Sequence, residues 1–121
     1  MTKRILVVED HEDNRKIVRD LLRRTGYEMF EAHDGEAALE RLASERFDLV
    51  LMDLQLPGID GYEVTRRIRA DAANAALPII AVTSYALTGD EDKARDAGCT
   101  DYVSKPYRPR ELLAKIQQYL L

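Results

Sequence analysis

The chain has 121 residues, a length that suits one domain and allows a single hydrophobic core without disulfide or metal staples. Hydrophobic residues make up 45% and charged residues 33%, an ordinary globular balance, and a net charge of −4 removes any bulk electrostatic case for nucleic acid or an anionic membrane as partner. Its single cysteine, Cys99, excludes an internal disulfide framework and a cysteine-rich metal site, and suits a reducing, cytoplasmic setting.

In chain order, Lys3 and Arg4 precede an apolar run at residues 5–8 that Glu9 ends. That run is too short for a signal segment or a membrane span and reads as a buried strand. Ile17, Val18, Leu21 and Leu22 then form a helical stripe, with Gly26 placed to stop it. A weaker strand is expected at 28–32, followed by a helix carrying Ala38, Leu39 and Leu42. Residues 49–52 form the second strong apolar run, Val64 and Ile68 mark a third helix, and 79–82 is the third run. Continuous apolar runs of this kind suit strands buried on both faces of a parallel sheet. The stretch 89–97 is charged with a few alanines and makes a weak helix, with acids favourably placed at its start. A weak strand follows at 101–103. The clearest stripe comes last: Leu112, Leu113, Ile116 and Leu120, with Pro109 suited to the first turn.

No linker, low-complexity stretch or repeat interrupts this pattern, so residues 1–121 read as one domain. Strand–helix units repeated five times imply an α/β fold: a five-stranded parallel sheet with helices on both faces. The flavodoxin-like strand order 2-1-3-4-5 is the leading topology, and in such folds ligands bind at the carboxyl ends of the strands.

The residues at those ends carry the chemistry. Glu9 and Asp10 follow the first strand, Asp53 ends the third, Thr83 ends the fourth, and Lys105 comes just after the fifth. Any one acid could be a loop residue or a helix cap. Five such groups on one sheet edge are hard to explain as capping. Clustered carboxylates repel and push a pKa upward unless something neutralises them. A hard divalent cation does so, and Mg²⁺ takes one or two carboxylates, waters and a phosphate oxygen. Lys105 adds a point charge suited to phosphate. A carboxylate nucleophile beside a cation, an ammonium and a hydroxyl is a site for making an acyl phosphate.

Through these residues the chain resembles the response-regulator receiver family, the CheY-like superfamily, from Lys3 to its C-terminus. The motifs are Ile5-Leu6-Val7-Val8-Glu9-Asp10, Asp48-Leu49-Val50-Leu51-Met52-Asp53-Leu54-Gln55-Leu56-Pro57-Gly58, Ala81-Val82-Thr83-Ser84 and Asp101-Tyr102-Val103-Ser104-Lys105-Pro106. CheY is itself a known case of the strand order above, which is therefore adopted rather than derived. The resemblance implies two-component phosphorelay signalling, with Asp53 as phosphoacceptor and a histidine kinase or phosphotransfer protein as donor. Mg²⁺, for which Mn²⁺ can substitute, would be bound by Asp10 and Asp53, by Glu9 mostly through water, and by the backbone carbonyl of Gln55. Thr83 and Lys105 would grip the phosphoryl oxygens. Glu rather than Asp at position 9 departs from the family pattern at a metal position.

The resemblance also implies an output: Thr83 moves toward the phosphoryl group, Tyr102 follows inward, and the face of helix 4, strand 5 and helix 5 changes for a downstream protein partner. The plainer reading of Tyr102 is an edge-strand aromatic. Asp101 and Lys115 lie where related receivers often form a dimer ion pair, so the chain is expected to be a monomer or a phosphorylation-favoured dimer. Gln55, by orienting water, and Tyr85, by covering the water path, are expected to set phosphate lifetime. The Lys105–Pro106 bond is expected to be cis. Locally, residues 85–91 and Gly98-Cys99 are similar to the DivK-like single-domain regulators, and a receiver excised from a hybrid kinase is a variant of the same reading.

Other residues suggest no chemistry. His11 and His33 lack ligand spacing and read as surface residues, Cys99 as packing, and Gly58 and Gly61 as turn residues before helix 3. An aspartyl phosphatase of the dehalogenase type would place an acid two residues after Asp53, where this chain has Gln55. The chain therefore reads as a signalling module that catalyses only its own phosphorylation and slow dephosphorylation, without direct nucleic-acid or membrane binding.

Overall fold

A computed structural model describes residues 2–84 and 90–120. The strands are β1 (Arg4–Val8), β2 (Glu28–Ala32), β3 (Leu49–Asp53), β4 (Ile79–Thr83) and β5 (Asp101–Ser104). The helices are α1 (Glu12–Leu22), α2 (Gly35–Ser44), α3 (Gly61–Ala70), α4 (Asp90–Ala97) and α5 (Pro109–Leu120), and a short 3-10 turn spans Ala72–Asn74. All strand pairs are parallel and the order is β2-β1-β3-β4-β5, as expected.

The continuous apolar runs split by the two-residue period of a strand. Leu6, Val8, Val50, Met52, Ile79 and Ala81 turn to one face, where Val64, Ile68 and Ala94 of α3 and α4 cover them. Ile5, Val7, Leu49, Leu51 and Ile80 turn to the other, against Val18, Leu22, Leu112, Ile116 and Leu120 of α1 and α5. Both faces of the three central strands are therefore dry. Each element that reads as half-apolar in sequence, β2 and β5, sits at an edge.

Helix starts are set by acids: Asp34 accepts from Ala37 N at the head of α2, and Asp60 from Glu63 N at the head of α3. Two local expectations are corrected. α1 ends at Leu22, before Gly26, because both N and Oγ1 of Thr25 bond the Leu22 carbonyl; Gly26 then takes φ +83° in the following turn. Ile17 lies on the solvent side of the α1 stripe and is 48% exposed, since Val18 and Leu22 are buried against the sheet and Leu21 packs partly buried beside them.

The far edge is tied by Arg69 at the end of α3. Its Nε donates to Gly98 O at 2.9 Å, Nη1 to Asn74 O at 2.7 Å and Nη2 to Thr100 Oγ1 at 3.2 Å. Arg69→Ala removes all three and takes from Gly98 O its donor, while Asn74 O keeps the Leu77 N–H. At ~1 kcal/mol net for each of the better bonds, the loss is about 2–3 kcal/mol, read as a lower urea midpoint with unchanged slope. An unaltered midpoint would show that the clamp is idle.

Candidate functional site

Parallel pairing brings the strand ends into one row. Val8 lies opposite Met52 and Ala32, Asp53 opposite Val82, and Thr83 opposite Ser104. Glu9, Asp10, Asp53, Thr83 and Lys105 consequently share the carboxyl edge of the sheet. Glu9, Asp53 and Thr83 are buried, whereas Asp10 and Lys105 are half-buried.

Glu9 is the hub. Its backbone N–H donates to Ala32 O and its carbonyl accepts from Arg15 Nη1 at 2.8 Å, which fixes the loop between β1 and α1. Arg15 is held in turn by Glu31 of β2 and Glu12. Lys105 Nζ donates to Glu9 Oε1 at 2.8 Å, an ion pair with little solvent around it. In this structure Lys105 thus rests on Glu9, whose extra methylene lengthens its reach compared with an aspartate. The Lys105–Pro106 peptide is cis.

Asp53 Oδ1 accepts from the Gln55 backbone N–H at 2.9 Å. Burial pushes the Asp53 carboxyl up, and a hydrogen bond with Glu9 and the Glu9 charge push it further, to about 7. Burial works against ionised Glu9 too, but hydrogen bonds from Asp53 and Lys105 and the Lys105 charge outweigh it and hold Glu9 below the usual carboxylate range. The pair is thus driven apart: Asp53 is made the more easily protonated of the two and Glu9 the more readily ionised. Next to them, Asp10 Oδ1 is a buried oxygen that accepts no hydrogen bond. A carboxylate oxygen with no hydrogen bond, beside two buried acids that raise each other's cost of ionising, fits a hard cation.

His11, read from the sequence as a bystander, lies closer to this cluster than expected. Its Nδ1 is 3.1 Å from Asp10 Oδ1, and Glu9, Asp10 and His11 place ligand-type atoms within 4.8 Å of one another. The imidazole is mostly exposed and caps no helix N–H.

Gln55 is engaged on both sides. Its Nε2 donates to Thr83 Oγ1 at 2.5 Å, and its Oε1 accepts from Ser84 N–H at 3.1 Å. The side chain expected to orient water is thus hydrogen-bonded to the end of β4. Tyr85, the other expected lifetime residue, lies outside the described residues. Tyr102 is half-buried and packs against the core face covered by α3 and α4.

The expected dimer pair closes within the chain. Asp101, 8% exposed, accepts from Lys115 Nζ at 3.1 Å, Tyr119 Oη at 2.8 Å and the Tyr102 N–H at 2.8 Å. Cys99 is buried beside Thr65, and burial pushes its thiol up, in keeping with packing. Gly58 does serve the turn, with φ +74°. Gly61 serves a different purpose: a Cβ there would stand 2.3 Å from Asp53 O.

Sequence reasoning missed Arg15 and the Gln55 side-chain contacts. No local signal marks either, because their partners come from β2 and β4. Among the described residues, no helix is long and apolar enough to cross a membrane.

The family model for the response regulator receiver domain matches residues 5–117. The polar-differentiation response regulator DivK of Brucella ovis is 42% identical over 120 residues, 99% of this chain and 98% of that protein. Among solved structures, the receiver domain of a sensor histidine kinase from Pseudomonas aeruginosa, with a magnesium ion coordinated in its active site cleft, is 38% identical. It superposes with a TM-score of 0.91 over 99% of this chain and 98% of that one. The chemotaxis response regulator CheY4 of Vibrio cholerae is 28% identical, with a TM-score of 0.92 over 98% and 99% of the two chains.

Proposed function

The chain belongs to the response regulator receiver domain family of two-component phosphorylation signalling, and from that premise we propose that Asp53 accepts a phosphoryl group from a histidine kinase or phosphotransfer protein. The observation that carries this reading is the Asp53 carboxyl, raised by burial and by Glu9, beside a buried Asp10 oxygen that accepts no hydrogen bond. Asp10, Glu9, Asp53 and the backbone carbonyl of Gln55 would hold Mg²⁺, and Mn²⁺ would substitute. When bound, the ion would offset the charge of three acids and of the phosphoryl oxygens.

The reaction follows from the residues. Asp53 in its ionised form attacks phosphorus with a carboxylate oxygen. The P–N bond of a phosphohistidine breaks as the new P–O bond forms, and the imidazole leaves with the electron pair. Lys105 exchanges Glu9 for a phosphoryl oxygen, and the Thr83 hydroxyl donates to another. Residues 1–121 act as one receiver domain in the cytoplasm, a signalling module with slow self-dephosphorylation. Movement of Thr83 and Tyr102 would alter the α4–β5–α5 face for a downstream protein. The phosphoryl donor would approach beside Lys105, where Asn14, Ile17, Pro106, Tyr107 and Pro109 line a largely apolar groove.

Acetyl phosphate with Mg²⁺ is expected to add one phosphoryl group per chain, seen by intact-protein mass, and excess chelator should prevent it. Labelling that persists in chelator would remove the cation from the reading. Continuous release of phosphate from simple phosphomonoesters would point to an enzyme instead.

A further inference from the structure

His11 is held beside the acids by its own backbone. It precedes α1 in an extended conformation, φ −94° and ψ 124°, and its carbonyl accepts the Arg15 N–H at 3.1 Å. Its N–H donates to Glu9 Oε2 at 3.4 Å. A polar side chain at this position commonly turns back to accept a helix N–H. This one makes no such bond, and its Nδ1 lies 3.1 Å from Asp10 Oδ1 instead. The ordinary explanation would be a salt bridge, which needs a ring N–H directed at the oxygen. Yet that oxygen is buried and accepts no hydrogen bond, so the in-plane axis at Nδ1 does not run to it. Two ligand bonds of about 2.1 Å at right angles hold their donor atoms about 3 Å apart. A nitrogen and an oxygen at this spacing, not bonded to each other, suit neighbouring places on one cation. Glu9 Oε2 lies 3.8 Å from the same nitrogen.

We propose that His11 is a specificity-determining metal ligand: its Nδ1 joins Asp10 on the cation held at this sheet edge and favours a transition ion such as Ni²⁺, Co²⁺ or Zn²⁺ over Mg²⁺. The inference rests on the proposed cation site and adds which ion that site prefers. Carboxylate, carbonyl and water oxygens suit Mg²⁺, whereas an imidazole nitrogen suits Ni²⁺ and Zn²⁺ and gives Mg²⁺ little. A neutral imidazole also brings a lone pair without adding charge to a site that already gathers three acids. Its hydrogen then sits on Nε2 and can be met by water, since 70% of the side chain is exposed. Arg15 Nη1 on the Glu9 carbonyl and the Arg15 N–H on the His11 carbonyl fix the loop on either side of Asp10, so little ordering remains for the ion to impose.

The test is calorimetric titration of the whole chain with Ni²⁺ and, separately, with Mg²⁺. Native protein is compared with His11→Ala, His11→Gln, His33→Ala and Asp10→Asn, each checked for folding by its melting curve. Both His11 variants should bind Ni²⁺ about tenfold more weakly, the loss of one ligand, while their Mg²⁺ affinity stays within about twofold of native. His33→Ala should match the native chain for both ions, and Asp10→Asn should weaken both. Either His11 variant alone suffices if the other does not fold. An unchanged ratio of Ni²⁺ to Mg²⁺ affinity in a folded His11 variant would overturn the proposal. So would equal weakening of both ions, which would make His11 a prop for the loop, or a Ni²⁺ loss that follows His33. Native protein that binds Mg²⁺ but not Ni²⁺ also refutes it and leaves the cation site standing. Native protein that binds neither ion removes the cation site itself.

Discussion

Asp53→Asn is expected to abolish phosphorylation by acetyl phosphate and, in metal-free buffer, to stabilise the fold above neutral pH. The first effect follows from removing the nucleophilic oxygen while keeping the shape. The second follows from linkage. The Asp53 pKa is raised from the ordinary aspartate value to about 7 by burial and by Glu9. A group with a raised folded-state pKa contributes stability that is fully present below its unfolded value and is lost as pH rises through the folded one. Asp53 should therefore weaken the metal-free protein progressively from about pH 4 to about pH 7. Glu9, held below its ordinary value, acts in the opposite sense and at lower pH, so the interval from pH 5 to 8 isolates Asp53. Asparagine carries no charge to bury, so that slope should vanish, and at pH 8 the variant should melt about 5 °C higher than the native chain. Millimolar Mg²⁺ should narrow the gap by binding the native acids. Parallel melting curves across this interval would show that Asp53 is not a protonated, buried acid. Full labelling of a folded variant would remove it as phosphoacceptor.

Gly61→Ala carries the largest expected cost to stability. The first residue of α3 passes so close to the end of β3 that a Cβ would stand 2.3 Å from Asp53 O and 2.7 Å from Leu54 Cα. Both are backbone atoms of a buried strand end and have no rotamer to yield. The helix start must back away, which breaks the bond from Gly61 N to Leu54 O and shifts the peptide that carries Asp53. Overpacking against an unyielding core costs ~3 kcal/mol, equal to a fall of about 10 °C or more in Tm for a domain of this size. Gly26→Ala is the comparison: φ is +83° there, but nothing lies within 4 Å, so only backbone strain remains, about 1 kcal/mol. Equal losses in the two variants would show that α3 can move away from β3 at little cost.

Local pattern was enough for much of the fold. Three apolar runs, an alternating helical stripe in α5 and acids at helix starts are properties of neighbouring residues, and βα units leave few ways to arrange them. The candidate site was legible for the same reason: a parallel sheet gathers every strand's carboxyl end on one edge, so Glu9, Asp10, Asp53, Thr83 and Lys105 had to meet once the strands were recognised. What remained depended on distances of a few ångströms between segments remote in sequence. That Lys105 rests on Glu9, that burial and Glu9 raise Asp53, and that Gln55 bonds Thr83 and Ser84 follow from side-chain length and register across strands. Asp101, at a position where related receivers often form a dimer ion pair, accepts from Lys115 and Tyr119 of α5 within its own chain. Gly61 looked like one more turn glycine, and only the approach of α3 to β3 shows why no side chain fits there. Periodicity and turn chemistry act over a few residues, so they can be read along the chain. Proton sharing, ion pairing and steric exclusion act across space, so they took form only when the strands were laid side by side.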